Sequence, residues 1–173
     1  MKTALIYISR HGTTEIIAQH LAALIGSNVT LYNLENEPDP VITDYDQVII
    51  GGSIHYGSIQ DQVKNFCKRN LATLLDKKLG LFICCILDST DSGQFSRAFP
   101  AVLGAHSVAQ GIFEGDLIFK KLNFIERILF KPSVDGQDVI KINEKSIASF
   151  IKDLAVPHGF QRTMPTPHIP SKC

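Results

Sequence analysis

The sequence predicts an α/β fold, a three-layer doubly wound sandwich around a five-stranded parallel sheet. Strand-like and helix-like patterns alternate along the chain, which is typical of parallel strands joined by crossover helices. The fourth strand pattern, residues 79–87, is apolar at almost every position, as expected for a strand covered by helices on both faces. A chain of 173 residues with 45% hydrophobic residues is also large enough to bury one such core.

The other strands are predicted from short apolar runs. These runs are residues 3–8, 28–33, 47–50 and 108–113. The third of them ends at Gly51-Gly52-Ser53. All of the runs have the length of a strand and none has the length of a membrane-spanning helix.

Helices are predicted where apolar residues recur at intervals of three and four. The segments are 15–25, 58–75, 94–105 and 144–155. Gly26 is the predicted stop of the first helix. Ser58-Ile59-Gln60-Asp61 resembles a capping box for the second, and Asn143 is the predicted N-cap of the last.

Two regions differ in composition. We assign residues 1–156 to a single domain and residues 157–173 to a tail. The tail contains four of the eight prolines and shows no hydrophobic periodicity, so we expect it to be extended or disordered.

Charge and cysteine content exclude several classes of protein. The 17 Lys+Arg balance 17 Asp+Glu, so the chain lacks the positive field of a nucleic-acid binder and the negative field of a small acidic electron carrier. Cys84 and Cys85 lie in the apolar fourth strand, and we expect buried, reduced thiols. Together with an N-terminal segment that lacks a secretory-signal pattern, this predicts a cytoplasmic protein.

The loop after the first strand is the most informative segment. Its sequence is Ser9-Arg10-His11-Gly12-Thr13-Thr14, directly before a helix. The N-terminus of a helix offers unpaired N–H groups and partial positive charge, which suits a phosphate. Hydroxyl groups add donors, glycine permits close approach of the backbone, and Arg10 and His11 add charge or cover the ligand. Helix capping alone explains serine and threonine at this place equally well.

The same loop excludes common nucleotide motifs. It matches neither Gly-x-Gly-x-x-Gly nor Gly-x4-Gly-Lys-[Ser/Thr], the fingerprints of dinucleotide and triphosphate sites. It also has no acidic pair that would indicate a metal-dependent phosphoacceptor.

Two further loops indicate a planar ligand. The third strand is followed by Gly51–Ser58, in which the glycines permit close approach and Tyr56 offers an aromatic face. The fourth is followed by the polar segment Asp88–Ser92. Each loop alone is an ordinary surface turn, but a phosphate site beside a ring site describes a mononucleotide such as flavin mononucleotide (FMN).

At these loops the sequence resembles the flavodoxin family. More closely, it is similar to the flavodoxin-like, menaquinone-dependent protoporphyrinogen oxidases of bacteria. The resemblance rests on the opening MKT, strand and SRHGTT, on VIIGGSIHYGSIQDQVKNF, and on EGDLIFKKLNFIERILFK. It covers residues 1–155 and implies a flavodoxin-like fold, an FMN cofactor and a quinone or a redox protein as partner.

The resemblance also implies which residues bind the cofactor. The phosphate loop contributes Ser9, Arg10, His11, Gly12, Thr13 and Thr14. The two ring loops contribute Ser53, Ile54, His55, Tyr56 and Gly57, and Leu87, Asp88, Ser89 and Thr90. Neither a catalytic residue nor a metal ligand is assigned. The function it favours is an FMN oxidoreductase acting in porphyrin biosynthesis; the alternatives are a flavodoxin-type electron carrier and a non-catalytic binding module.

Residues 117–131 combine nine large apolar residues with four bases and one acid at helical spacing. Such a segment can lie on a membrane surface or admit an apolar substrate. The competing interpretation is a helix that covers the edge of the sheet and keeps its bases in water. The sequence therefore leaves open a peripheral contact with the cytoplasmic face of a membrane.

Overall fold

The fold is built on a single mixed β-sheet with helices on both faces. The structure, a computed structural model, describes residues 1–9, 12–55, 57–85, 93–118 and 139–156. The strands are β1 (Thr3–Tyr7), β2 (Val29–Asn33), β3 (Gln47–His55), β4 (Ser58–Ile59), β5 (Lys78–Cys85), β6 (Ala109–Ile118) and β7 (Val139–Ile142). The helices are α1 (Thr13–Ile25), α2 (Asp61–Arg69), α3 (Leu71–Leu75), α4 (Gln94–Ala98), α5 (Ala101–His106) and α6 (Glu144–Ala155).

Within the described residues, the strands follow the order β2-β1-β3-β5-β6-β7 across the sheet. The first five strands of that order are parallel. Two antiparallel strands extend this sheet. β4 pairs with the end of β3, and β7 pairs with β6. The predicted doubly wound α/β class is confirmed, and the strand order reverses between β1 and β3, where such sheets bind ligands.

Buried apolar side chains fill the space on both faces of the sheet. On one face α1 and α6 pack against the strands through Ile17, Leu21, Ile147, Phe150, Leu5, Ile49, Phe82 and Phe113. On the other face α2 to α5 pack through Val63, Phe66, Leu74, Ala98, Leu103, Ile6, Ile50 and Leu81. Cys67 and Cys84 are buried in this core, which confirms the expectation for Cys84.

Two strands are longer than their apolar runs predict. The strand expected to end at Gly51-Gly52-Ser53 continues to His55 as β3, because Gly52 and Ser53 pair with β5 and His55 pairs with β4. The strand predicted at 108–113 continues to Ile118, where β7 supplies an antiparallel partner. Assigning Leu117 and Ile118 to a helix was therefore wrong, and residues 119–131 lie outside the described residues.

Two predicted helices are interrupted. The segment 58–75 contains α2 and α3, separated at Asn70, and the capping-box interpretation is wrong because Ser58 lies in β4. The segment 94–105 is divided at Pro100, since the residue before a proline is driven into an extended conformation. Phe99 adopts φ −123° and ψ 153° for that reason.

The last helix follows its prediction closely. The side chain of Asn143 accepts hydrogen bonds from the backbone N–H groups of Lys145 and Ser146 and caps α6. The prediction for the tail, 157–173, falls on residues outside the described ranges.

Candidate functional site

The candidate site lies at the carboxyl ends of β1 and β3, on either side of the reversal in strand order. The loop from Ser9 to Thr14 leaves β1 there and enters α1. The ring loop begins at the end of β3 and turns back through β4. The two predicted binding segments are therefore neighbours in space, although about forty residues separate them in the chain.

Ser9 and Gly12 shape the start of α1. Ser9 is nearly buried, and its Oγ accepts a hydrogen bond of 3.1 Å from the backbone N–H of Gly12. Gly12 has φ +86°, a left-handed conformation that residues with a side chain rarely adopt, and it occupies the N-cap position. Glycine has no side chain that could cap the helix, so the first N–H groups of α1 stay available to a ligand.

The donor groups at the start of α1 suit an anion. A Cβ atom built on Gly12 would meet no atom of the described chain within 4 Å. Thr13, half-buried, is the first residue of α1 and contributes a hydroxyl group beside those N–H groups. Backbone N–H groups, hydroxyl groups and the positive end of the helix dipole are the donor set that a phosphate monoester requires. These residues therefore fit the phosphate of FMN.

Thr14 connects the phosphate loop to the strand that leads into the ring loop. Its side chain is 1% exposed, and its Oγ1 lies 2.8 Å from Oγ of Ser53 at hydrogen-bonding distance. The bond joins α1 to β3 across the point where the strand order reverses. It therefore holds the two halves of the candidate site at a defined separation.

We expect Thr14→Val to lower the free energy of unfolding of the ligand-free protein by about 1 kcal/mol, the usual value of one hydrogen bond. Ser53→Ala should have a similar effect, since it removes the same bond from its other end. The double variant should lose less than the sum of the two single variants, because the second change has no bond left to break. Urea unfolding of the four proteins tests this, and strict additivity would contradict it.

A tyrosine and a glutamate lie at the base of the phosphate loop. The hydroxyl of Tyr7 donates to Oε1 of Glu15, in the first turn of α1, at 3.4 Å. Burial, and then the negative charge and hydrogen bond of Glu15, raise the pKa of Tyr7 to about 12. The phenol therefore stays protonated at neutral pH and donates its hydrogen bond to the carboxylate of Glu15.

The raised pKa of Tyr7 predicts how stability depends on pH. The folded protein holds the phenolic proton more tightly than the unfolded chain, whose tyrosine has its ordinary pKa of 10.0. The stabilisation that the folded protein gains by holding this proton is complete below about pH 10 and is lost as the pH rises through about 12. Tyr7→Phe should therefore lose less stability than the unmodified protein between these values. Parallel slopes in urea unfolding across this range would contradict the prediction.

The space beside Gly51 and Gly52 is filled by other side chains of the protein. A Cβ atom on Gly51 would lie 2.1 Å from the ring of Phe82, and a Cβ atom on Gly52 would lie 2.6 Å from Oε1 of Gln60. The sequence interpretation, close approach of a flat ligand, is therefore incomplete. At Gly51 the ring of Phe82 leaves no room for a side chain, whereas at Gly52 the nearest atom is the flexible end of Gln60.

The end of β3 turns sharply. Ile54 pairs with Ile59 and His55 pairs with Ser58, and between the two strands Gly57 adopts φ +78°. Ser53, Ile54 and His55 belong to β3, although the sequence predicts a loop at these residues. The phosphate-loop predictions for Arg10 and His11 concern residues outside the described ranges. The same holds for the ring-site predictions for Tyr56 and for Leu87, Asp88, Ser89 and Thr90.

Sequence reasoning missed one polar side chain of this region. The amide oxygen and nitrogen of Gln60 are both buried and have no hydrogen-bond partner. Its pattern in the sequence is that of an ordinary polar residue before a helix, and nothing local predicts that its amide is buried.

The chain is similar to known proteins over most of its length. The family model described as a flavodoxin domain matches residues 4–138. Protoporphyrinogen IX dehydrogenase [quinone] of Escherichia coli strain K12 is 32% identical over 77 residues, which are 43% of this chain and 42% of that protein. The alignment thus spans less than half the length of this curated relative.

Two solved structures share the fold. Oxidised Flavodoxin 1 from Bacillus cereus is 19% identical, with a TM-score of 0.50 over 88% of this chain and 98% of that chain. Rubredoxin oxygen:oxidoreductase from Desulfovibrio gigas is 16% identical, with a TM-score of 0.52 over 88% of this chain and 36% of that chain. Within the described ranges, no helix is both long and apolar enough to cross a membrane.

Proposed function

This chain belongs to the flavodoxin domain family, and from that premise we propose that it binds FMN and is a quinone-linked oxidoreductase of protoporphyrinogen IX. The proposed substrate and quinone acceptor rest on the 32% identity to protoporphyrinogen IX dehydrogenase [quinone] of Escherichia coli. The zero net charge also favours an enzyme over a carrier that is steered to its partners by a strong negative field.

The residues of the site have separate tasks in this proposal. The N–H groups of α1 and the hydroxyl of Thr13 hold the phosphate, Ser9 positions Gly12 of the phosphate loop, and the Thr14–Ser53 bond keeps the ring loop beside it. Bound FMN supplies the redox chemistry, transfer of electrons and protons between substrate and quinone, and the protein supplies orientation and electrostatics. No acid or base of the chain is assigned to the reaction.

Two measurements test the proposal in order. Purified protein, or protein incubated with FMN, should show flavin absorption bands, and failure to take up FMN would contradict the proposal at its base. The loaded protein should then oxidise protoporphyrinogen IX with a menaquinone analogue, seen as porphyrin fluorescence rising above the rate of autoxidation. FMN uptake without turnover would favour the alternative, a flavodoxin-type electron carrier.

We also propose that the enzyme works in the cytoplasm and contacts a membrane surface through 117–131, which is where a quinone would be met. The support is the sequence: apolar residues with an excess of bases suit an anionic lipid surface. Replacing Phe124 and Phe130 with serine should reduce co-sedimentation with anionic vesicles severalfold and leave FMN uptake unchanged. Loss of folding and FMN together would instead support a helix that covers the core.

A further inference from the structure

A histidine of α1 faces the start of α6 on the side of the sheet that these two helices cover. The Nε2 atom of His20 is buried and has no hydrogen-bond partner, and it lies 3.6 Å from Oε2 of Glu144. That distance is too long for a hydrogen bond, although buried polar atoms are nearly always bonded. Two groups that could bond to each other are thus close together but unbonded.

The strands beneath α1 bring no other charge to His20. Besides α6, α1 packs against β1, β2 and β3, and none of these strands contains Lys, Arg, Asp or Glu. Tyr7 is bonded to a carboxylate of α1 itself, and Tyr32 is bonded to Tyr45 on the opposite face of the sheet. The remaining titratable residue of these strands, His55, lies at the end of β3 in the hairpin with β4.

The other charges of the two helices leave Glu144 as the partner of His20. The second ionisable side chain of α1 is Glu15, which accepts a hydrogen bond from a tyrosine. The other ionisable residues of α6 are Lys145, Lys152 and Asp153. The first of these is exposed, and the last two lie at the opposite end of the helix. Within the described ranges, no lysine or arginine forms an ion pair with Glu144, so its carboxylate is available to the imidazole.

Protonation changes what His20 offers to Glu144. A neutral imidazole has one donor nitrogen and one acceptor nitrogen, whereas an imidazolium donates from both. Glutamate is ionised well below neutral pH, so the carboxylate is an acceptor throughout the range in which histidine titrates. The side chain of Glu144 is 74% exposed and can shift toward the ring. An imidazolium at position 20 therefore completes a charge-assisted hydrogen bond.

We propose that His20 and Glu144 form an acid-sensitive clamp that fastens the first turn of α6 to α1. The clamp is closed while the imidazole is protonated and opens as the pH rises through the ordinary titration range of histidine, near pH ~6.5. It acts where the chain passes from β7 into α6, beside the helix whose N-terminus we assign to the phosphate. The inference concerns the ligand-free protein and does not depend on the proposed function.

A double-mutant cycle of His20→Gln and Glu144→Gln tests the clamp. The four ligand-free proteins are unfolded with urea at about pH 5.5 and at about pH 8, on either side of the histidine titration. Glutamine keeps a neutral hydrogen-bonding group at both positions, so the substitutions remove charge and change little volume. Because every other ionisable group is common to the four proteins, the cycle isolates the coupling between positions 20 and 144.

At the acidic pH we expect the pair to raise the folding equilibrium constant by about two- to fivefold, the usual value of an ion pair with a solvent-exposed partner. At the alkaline pH this coupling should be lost, because the ring is then neutral. Added salt should reduce the coupling at the acidic pH, since the carboxylate is exposed to solvent.

Asp61→Asn is the matched control for Glu144→Gln. Asp61 also lies in the first turn of a helix, α2, and its carboxylate is 3.6 Å from the ammonium of Lys64. A lysine stays charged at both pH values, so the loss of Asp61 should have the same effect at both. The control separates the titration of His20 from the general benefit of a carboxylate at the N-terminus of a helix.

Hydrogen exchange provides a local measurement of the same clamp. In the unmodified protein, the amides of the first half of α6, corrected for their intrinsic rates, should exchange about two- to fivefold more slowly at the acidic pH. In Glu144→Gln the corrected rates should be equal at the two pH values. If His20→Gln does not fold, this comparison decides the question without it.

Other results would overturn the clamp. Coupling of equal size at the two pH values would assign the contact to packing alone. Absence of coupling at the acidic pH, or exchange of α6 that does not depend on pH in the unmodified protein, would exclude the clamp as well. None of these results bears on FMN uptake, so the clamp and the proposed function fail separately.

Discussion

Replacing Thr13 with aspartate is expected to weaken FMN binding by about 100-fold or more. Thr13 is the first residue of α1, beside the N–H groups that we assign to the phosphate. Two unit charges about 4 Å apart near a protein surface repel by about 4 kcal/mol, and partial screening leaves about 2.7 kcal/mol, which corresponds to 100-fold in affinity. Titration of the ligand-free variant with FMN measures the change.

Stability and binding should move in opposite directions in this variant. A carboxylate at the N-terminus of a helix is favourable, so the ligand-free Thr13→Asp protein should gain about 0.5 kcal/mol in its free energy of unfolding. A poorly folded variant could not show that gain. The loss of FMN would then be due to electrostatic repulsion and not to damage of the fold.

Two controls isolate the charge. Thr13→Asn has nearly the shape of aspartate without its charge and should bind FMN within a few-fold of the unmodified protein. Riboflavin, which lacks the phosphate, should bind Thr13→Asp and Thr13→Asn equally. If Thr13→Asp and Thr13→Asn bound FMN with the same affinity, the phosphate would not lie at the N-terminus of α1.

A large loss of folding stability is expected for Gly51→Ala. The added methyl group would lie 2.1 to 2.3 Å from three atoms of the Phe82 ring, and that ring is fully buried between Phe113 and Phe150. Overpacking of a core costs about 1–3 kcal/mol and sometimes more, and the rigid ring predicts a value of about 3 kcal/mol. This is a large part of the 5–15 kcal/mol that stabilises a typical domain. Urea or thermal unfolding measures it.

Gly104→Ala is the matched control for this substitution. A Cβ atom at Gly104 in α5 would have no described atom within 4 Å, and alanine favours a helix over glycine by up to about 1 kcal/mol. The control variant should therefore be slightly more stable. The same change, glycine to alanine, is thus expected to have opposite signs at the two positions.

A double variant identifies the cause. Phe82→Ala alone should destabilise the protein by about 3–5 kcal/mol through the cavity it leaves. Combined with Gly51→Ala it should cost clearly less than the sum, because the new methyl group enters the space of the missing ring. Additive costs would mean that Phe82 is not what excludes a side chain at 51.

The phosphate loop shows what a short run of consecutive residues can predict about the structure. Glycine before two threonines at the end of a strand indicates a helix start with free N–H groups, and the structure has such a start at Gly12 and Thr13. All of the information is contained in a few consecutive residues. The same is true of Asn143, whose capping bonds span two and three residues.

Pairing between distant strands explains why the ends of β3 and β6 were predicted incorrectly. Gly51 to Ser53 look like the end of a strand, because glycine and serine have low strand propensity. They remain in β3 because they pair with Phe82, Ile83 and Cys84 of β5. Leu117 and Ile118 have an apolar pattern that suits a helix, but pairing with β7 places them in β6.

The sequence by itself therefore determined the class of fold, the presence of a helix directly after the phosphate loop and the family, since alternating apolar periods and one short loop encode them. The first helix begins at Thr13, two residues before the predicted segment 15–25. Only the tertiary structure decided which atoms fill the space beside Gly51 and Gly52, which hydroxyl Thr14 meets and that the amide of Gln60 is buried. Thr14 and Ser53 are 39 residues apart, and Gly51 faces a ring that a different strand contributes. Contacts of this kind depend on how separate elements pack. Periodicity in the sequence indicates which face of an element is buried, but not which atoms of another element that face meets.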